Sequence, residues 1–312
     1  MIRVLKPGLL TTVQDLGRRG FTHLGLSPGG AADCVSFRMA NLLVGNDSNA
    51  PALEITLLGP TLEFGVAATL AISGYGSGSG YGTSASSSLP MNEAFEVAAG
   101  TTVAVGALSA GARAYLAIRG GLLIPEVMHS CSTFLPATIG GLEGRALRAG
   151  DEIAVGERTQ GSPRRISPLA VASLRPQPGP VRVTPSLQAD WFGRATIERF
   201  HRQAFTVTEQ SNRSGLRLAG EAILRSNQGE LLTEGIALGA VQVPNDGQPI
   251  ILFVDQQTTG GYPKIANVIA ADLPRIGQLR PRDEVRFQSV TIPEAVELLR
   301  QQERALREAF AL

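Results

Sequence analysis

The sequence predicts a mainly β fold with few helices, and three observations carry that reading. Apolar residues come in short segments, several of them alternating with polar ones. Turn-forming residues are abundant: 36 Gly and 19 Pro in 312 residues, about 18% against a usual value of roughly 12%. At this length a single core stops growing efficiently, so two β subdomains are expected. The division is read as an N-terminal β subdomain (1–160), a Pro-rich connection (161–180), a second β subdomain (181–290) and a C-terminal helix (291–312).

Taken in order, Leu53–Leu57 and Thr102–Val105 alternate, Ala114–Ile118 is continuously apolar, Val181–Val183 alternates, and Ile250–Val254 is again apolar. Gly, Pro or Asp bounds each of them and supplies the turns. A helix is expected from about Asp33 to Val44, with Asp33 as N-cap, Gly45 as the stop, and Phe37, Ala40 and Val44 facing inward. A second is expected from Asp190 to Arg202. The last is the clearest: Thr291 and Glu294 form a capping box around Pro293, and Ala295, Leu298, Leu299, Ala305 and Phe310 follow at roughly helical spacing. Gly161–Arg165 and Arg175–Pro180 read as a stiff, polar connection. The segment 74–88 is Gly/Ser-rich and reads as a surface hairpin or lid.

Charge and motif content narrow the function. With 28 basic and 27 acidic residues the net charge is +1, which gives no field for nucleic acid or an anionic membrane. The most apolar stretch, 64–72, is too short to span a bilayer, and the first ten residues have no signal pattern. Cys34 and Cys131 form no C-x-x-C pair, in keeping with a reduced, cytoplasmic protein. His23, His129 and His201 have no metal-ligand spacing, so no metal is expected. Neither a G-x-S-x-G elbow nor a phosphate-binding G-x-x-x-x-G-K-[ST] loop occurs. Only two of the basic residues are lysines, Lys6 and Lys264, and neither lies in a Met-Lys-Met turn, so no covalently attached biotin is expected in this chain.

Three polar, glycine-rich clusters remain as candidate sites. The first runs from Thr11 to Gly20 and on through His23 and Gly29-Gly30 to Asp33; Asp33 taken alone reads as a helix cap. The second is Gly140–Arg145 preceded by Ser130–Thr133. It suits either a tight turn or a seat for a carboxylate or phosphate on backbone N–H groups and the Arg145 fork. The third is the richest: Gln242–Pro249, an apolar strand, then Asp255–Lys264. A buried strand that ends in amide, hydroxyl, glycine and lysine groups suits a polar ligand.

In this order the clusters resemble the biotin-dependent carboxyltransferase family related to the KipI antagonist, which includes the 5-oxoprolinase C subunits and the second half of the urea carboxylase carboxyltransferase domain. LLTTVQDLGRRG (9–20), HLGLSPGGAAD (23–33), NLLVGN (41–46), LEITLLGPTLEF (53–64), STFLPATIGGLEGRAL (132–147), QSNRSGLRLAG (210–220) and the run 241–281 carry the likeness. It implies a cyclophilin-like β-barrel plus a second β subdomain. It also implies two partners, the KipI-like B-type and the A-type subunits of 5-oxoprolinase. ATP would be used in the complex at a site the likeness does not locate, on a small amide or lactam substrate. Carried over by motif, Lys264, Tyr262 and Asp33 become candidate catalytic residues, and His23, Arg145, Arg213, Gln256 and Gln278 candidate substrate-binding residues. Lys264 would neutralise developing oxyanion or phosphoryl charge, and Arg145 or Arg213 would hold a carboxylate. Three functions fit: the C-type component of an ATP-dependent 5-oxoprolinase, inactive alone; a biotin-dependent carboxyltransferase component with an amide acceptor; or a non-catalytic antagonist of a KipI-like kinase inhibitor. The sequence departs from the family pattern at the Gly/Ser-rich tract and at Ser186-Leu187, where Gly-Pro is usual.

Overall fold

The computed structural model describes residues 1–75, 89–157, 161–175, 178–227 and 229–311. Most of the Gly/Ser-rich tract read as a hairpin or lid lies outside the described residues. Strand exceeds helix, 29% to 21%, which places the chain in the mainly β class as expected. It divides into two compact units. One comprises Met1–Arg18, Gly29–Arg175 and Ala305–Leu312; the other comprises Arg19–Pro28 and Pro176–Arg304. Part of the stretch read as a connection is helical: Pro168 opens a helix over Pro168–Leu174, capped by the Ser167 hydroxyl, which accepts from the Ala170 N–H at 3.1 Å.

The first unit holds a five-stranded and a four-stranded antiparallel sheet. The five-stranded sheet runs Leu10–Gln14, Ala52–Thr56, Arg113–Ile118, Ala68–Gly74, Ala94–Val97; the other runs Thr101–Ala104, Thr61–Phe64, Ile2–Lys6, Glu152–Ile153. Val4, Leu62, Phe64 and Val103 from the smaller sheet share one core with Leu53, Ile55, Leu70 and Leu116 from the larger. Side chains alternate along a strand, so Tyr115, Ala117 and Ala71 face the opposite way. There they meet Phe37, Ala40 and Val44 of the helix Cys34–Leu43 and its C-cap. Burial on both faces explains why Arg113–Ile118 reads as continuously apolar in its last five residues. The helix begins where expected: Asp33 accepts from the Val35 and Ser36 N–H groups at 3.1 and 3.0 Å. It ends at Gly45, whose φ of +80° is left-handed and whose missing Cβ would lie 2.7 Å from the Ser162 carbonyl.

The second unit is built on one eight-stranded sheet. Its order is Glu284–Val285, Phe205–Val207, Gly215–Ala219, Ile250–Leu252, Ala240–Gln242, Lys264–Val268, Val181–Pro185, Phe287–Ser289. The first and last strands are neighbours in sequence, separated by Arg286 alone. The sheet is therefore a nearly closed barrel, in line with the expected architecture. Inside, Phe287 stacks on Phe200 at 4.5 Å between ring centroids and meets Phe205 edge-on at 5.8 Å. Phe200 comes from the helix Arg194–Arg202, which starts four residues later than expected because a 3-10 turn occupies Ala189–Trp191. The helix Ile292–Phe310 opens with the expected capping box: Glu294 accepts from the Thr291 N–H at 2.7 Å and the Thr291 hydroxyl caps the Glu294 N–H at 3.4 Å.

Phe287 sits where the barrel joins its own ends. Phe287→Ala is expected to lower the stability of this unit by about 3–5 kcal/mol. The shift would be read from urea-induced unfolding followed by the fluorescence of Trp191, the single tryptophan.

Candidate functional site

Strand pairing places four chemically distinct residues in one row across the barrel. Arg217 is the register partner of Ile250, Ile250 of Gln242, and Gln242 of Lys264. Register partners point to the same side of a sheet. The flanking Leu216, Leu218, Val241 and Ile251 are buried and point to the barrel interior, so the row lies on the outer face. A two-stranded ribbon, Glu234–Gly235 with Thr259–Gly260, lies over that face. A Cβ at Gly260 would meet Ile236 at 2.6 Å and Gln242 at 3.1 Å, and Ile236 packs with Ala240, Ile250 and Leu252.

Lys264 is 5% exposed, and its ammonium pairs with the carboxylate of Glu234. Gln188 donates from Nε2 to the same Glu234 Oε1 at 2.9 Å. The hydrogen bond from Lys264, more than any other contact, holds the Glu234 carboxyl below the usual carboxylate range, and Gln188 adds to it. Gln242 is 1% exposed and its Nε2 has no hydrogen-bond partner among the described residues. Beside it a cavity of about 180 Å³ is lined by Ser214, Arg217, Gln242, Leu252, Gln257 and Tyr262. Tyr262 is 46% exposed at its rim. The arrangement is a polar, cation-flanked recess with an apolar wall. Its Arg217 guanidinium and amide side chains suit a small anionic or acyl ligand.

The other expected site residues divide between the units. Gln256 is buried and donates from Nε2 to the Ile236 carbonyl at 3.1 Å, which anchors the approach to the ribbon. His23 is exposed on a 3-10 turn, Thr22–Leu24. Gln278 is buried just after the short helix Leu273–Ile276. Arg213, expected to hold a substrate carboxylate, already holds Asp255: Nε and Nη2 reach the two carboxylate oxygens at 2.8 and 3.0 Å, with both side chains buried. Arg145, the other candidate for that role, pairs in the same two-pronged way with Asp151 at 2.8 and 2.9 Å and also reaches Glu143. Both forks thus hold internal carboxylates in this structure. Asp33 lies in the first unit with its carboxylate committed to the helix N-terminus and to the Ser36 hydroxyl at 2.6 Å. Its neighbourhood is a buried network in which Tyr115 donates to Glu54 at 2.8 Å and accepts from the Asp33 N–H at 2.7 Å.

Sequence reasoning does not single out Arg217, Gln242, Glu234 or Gln188. Gln242 opens the third cluster, and Arg217 lies inside the matched segment 210–220, but their adjacency exists only through strand pairing. Cys131 is not a nucleophile at neutral pH, since burial and then Asp15 push its thiol up to about 11.

Lys264→Met is expected to raise the titration of Glu234 toward that of an ordinary glutamate, read by carbon-13 NMR of the carboxyl. A depressed folded-state pKa stabilises above the unfolded value. The pair's contribution is therefore complete at neutral pH and fades as pH falls through the folded value. An unchanged Glu234 titration would mean that the ion pair does not form in solution.

Residues 24–289 match the family model described as carboxyltransferase domain, subdomain A and B. The 5-oxoprolinase C subunit of Escherichia coli (strain K12) is 40% identical over 307 residues, covering 97% of this chain and 96% of that protein. That of Haemophilus influenzae is 37% identical over 311 residues, with the same coverage. The crystal structure of the K. lactis urea amidolyase superposes with a TM-score of 0.91 at 33% identity, over 98% of this chain and 20% of that one. With a family model matched over most of its length and relatives of this identity over nearly all of it, the chain belongs to the carboxyltransferase family containing subdomains A and B.

Proposed function

We propose that this chain is the C-type component of an ATP-dependent 5-oxoprolinase, opening 5-oxoproline to glutamate together with KipI-like B-type and A-type partners in a cytoplasmic hetero-oligomer. The observation that carries this is the 40% identity to a 5-oxoprolinase C subunit over almost the whole of both proteins. Opening the lactam breaks its C–N bond, with water supplying oxygen to the carbonyl carbon and hydrogen to the nitrogen. Negative charge grows on the lactam oxygen as the ring carbon is attacked. A fixed cation such as Lys264 stabilises that charge without reorganising. Glu234 and Gln188 hold the ammonium in place.

ATP would supply the driving force for an otherwise unfavourable ring opening. The recess, at about 180 Å³, is smaller than the roughly 300–1,000 Å³ of cofactor-sized sites, which favours a small substrate there. The chain is expected to be inactive alone, because the row supplies cations and amides while phosphate handling and water activation fall to its partners.

The match to urea amidolyase favours a second reading, a biotin-dependent carboxyltransferase component acting on an amide acceptor. Biotin would then arrive on a separate carrier, since neither lysine lies in a Met-Lys-Met turn.

The test is reconstitution with the B- and A-type partners and measurement of 5-oxoproline-dependent ATP hydrolysis. Wild-type complex is expected to turn over, and Lys264→Ala to lose about 10²-fold or more in kcat with unchanged Trp191 fluorescence. Transfer from carboxybiotin in place of lactam-dependent hydrolysis would establish the second reading. Tight binding to the KipI-like partner without either activity would point to an antagonist.

A further inference from the structure

We propose that the recess beside Gln242 is a carboxylate-recognition subsite that takes a small carboxylated lactam, with Arg217 as the residue that selects for the carboxylate. The identity of the ligand rests on the function proposed above; the chemistry of the recess does not.

Four observations converge on it. Arg217 is exposed and pairs with no carboxylate among the described residues, in contrast to Arg145 and Arg213. None of the residues lining the recess is acidic, so an entering anion meets no like charge. Gln242 Nε2 is buried there without a partner among the described residues, and a buried unsatisfied donor is unfavourable unless a ligand completes it. Finally, the recess depends on a glycine. A Cβ on Gly260 would come within 3.1 Å of Gln242 Nε2 and 3.3 Å of Gln257 Nε2. The absence of a side chain at 260 leaves room beside both amide nitrogens.

The spacing suits one small molecule. Arg217 and Gln242 are two strands apart, about 10 Å at the backbone, and Lys264 follows on the next strand. A five-membered lactam would place its carboxylate on the Arg217 fork, its ring methylenes against Ile250 and Leu252, and its amide edge at Gln242 and Gln257. Its carbonyl would then lie toward Lys264. Arginine suits the first role because its planar fork matches a carboxylate in two hydrogen bonds.

Ligand-detected NMR on the full chain tests this with two probes, 5-oxoproline and 2-pyrrolidinone, which is the same lactam without the carboxylate. The wild-type chain is expected to bind 5-oxoproline in preference. Arg217→Gln is expected to weaken 5-oxoproline by about tenfold or more, leave 2-pyrrolidinone unchanged, and so abolish the preference. Gln242→Leu is expected to weaken both probes. Because Arg217 is exposed, its substitution does not threaten folding, and Trp191 fluorescence checks Gln242→Leu. The subsite is overturned if folded wild-type chain binds no 5-oxoproline at millimolar concentration, or if Arg217→Gln binds it equally. The two proposals separate cleanly. Selective binding with an inactive reconstituted complex keeps the subsite and sinks the oxoprolinase reading. Turnover whose KM for 5-oxoproline ignores Arg217→Gln keeps the oxoprolinase and sinks the subsite.

Discussion

Strand residues Glu284–Val285 pair at one end of the eight-stranded sheet and Phe287–Ser289 at the other, with Arg286 alone between them. That one continuous segment bends the sheet back on itself, and the geometry of the second unit follows from it. A nearly closed sheet leaves little free edge along which a strand can slip, so register is fixed. The barrel interior is filled by Phe205, Phe287, Leu216, Leu218, Val241 and Ile251. Polar side chains on the alternate positions are left for the outer face, where Arg217, Gln242 and Lys264 stand in one row. A slip of one residue in Ala240–Gln242 would turn Gln242 into the core and Val241 out of it.

The arginines show how the chain separates structural charge from available charge. Arg145, Arg213 and Arg182 each grip an internal carboxylate, Asp151, Asp255 and Asp272 respectively. Arg18 is fully buried and donates to the carbonyls of Val127 and Ser132 at 2.8 and 3.0 Å. Asp15 nearby accepts from the Ser130 hydroxyl and the Cys131 N–H. Breaking the buried Arg213–Asp255 pair would strand a charge and cost about 3–5 kcal/mol, so that pair holds its loops in place. Internal charge and caps order parts of the glycine-rich segments at 11–33 and 140–145 in the same way.

Much of the local structure was legible because its causes are local. The Asp33 cap, the left-handed Gly45 and the Thr291–Glu294 box each depend on residues within a few positions of one another. The third cluster drew notice in the sequence because amides, hydroxyls and a rare lysine crowd the end of a buried strand. The role of Arg213 was not, because Asp255 lies 42 residues away. Arg217 was hidden for another reason. In a chain where nearly every basic residue is arginine, one more exposed arginine carries no signal until strand pairing sets it two strands from an unsatisfied glutamine.

The Lys264–Glu234 pair is asymmetric, and the asymmetry argues for more than structure. The lysine is 5% exposed and the glutamate side chain 37% exposed. A pair kept only for stability gains little when one partner remains in water, yet here the buried partner bears the desolvation cost. Glu234 is also braced by Gln188, and the hydrogen bond from Lys264, with that from Gln188, holds its carboxyl below the usual carboxylate range. On the next strand Gln242 leaves a donor unsatisfied in the same row. The row thus sets a buried, ion-paired ammonium and an unpartnered amide donor on adjacent strands of one outer face, groups of the kind that can meet growing negative charge without reorganising.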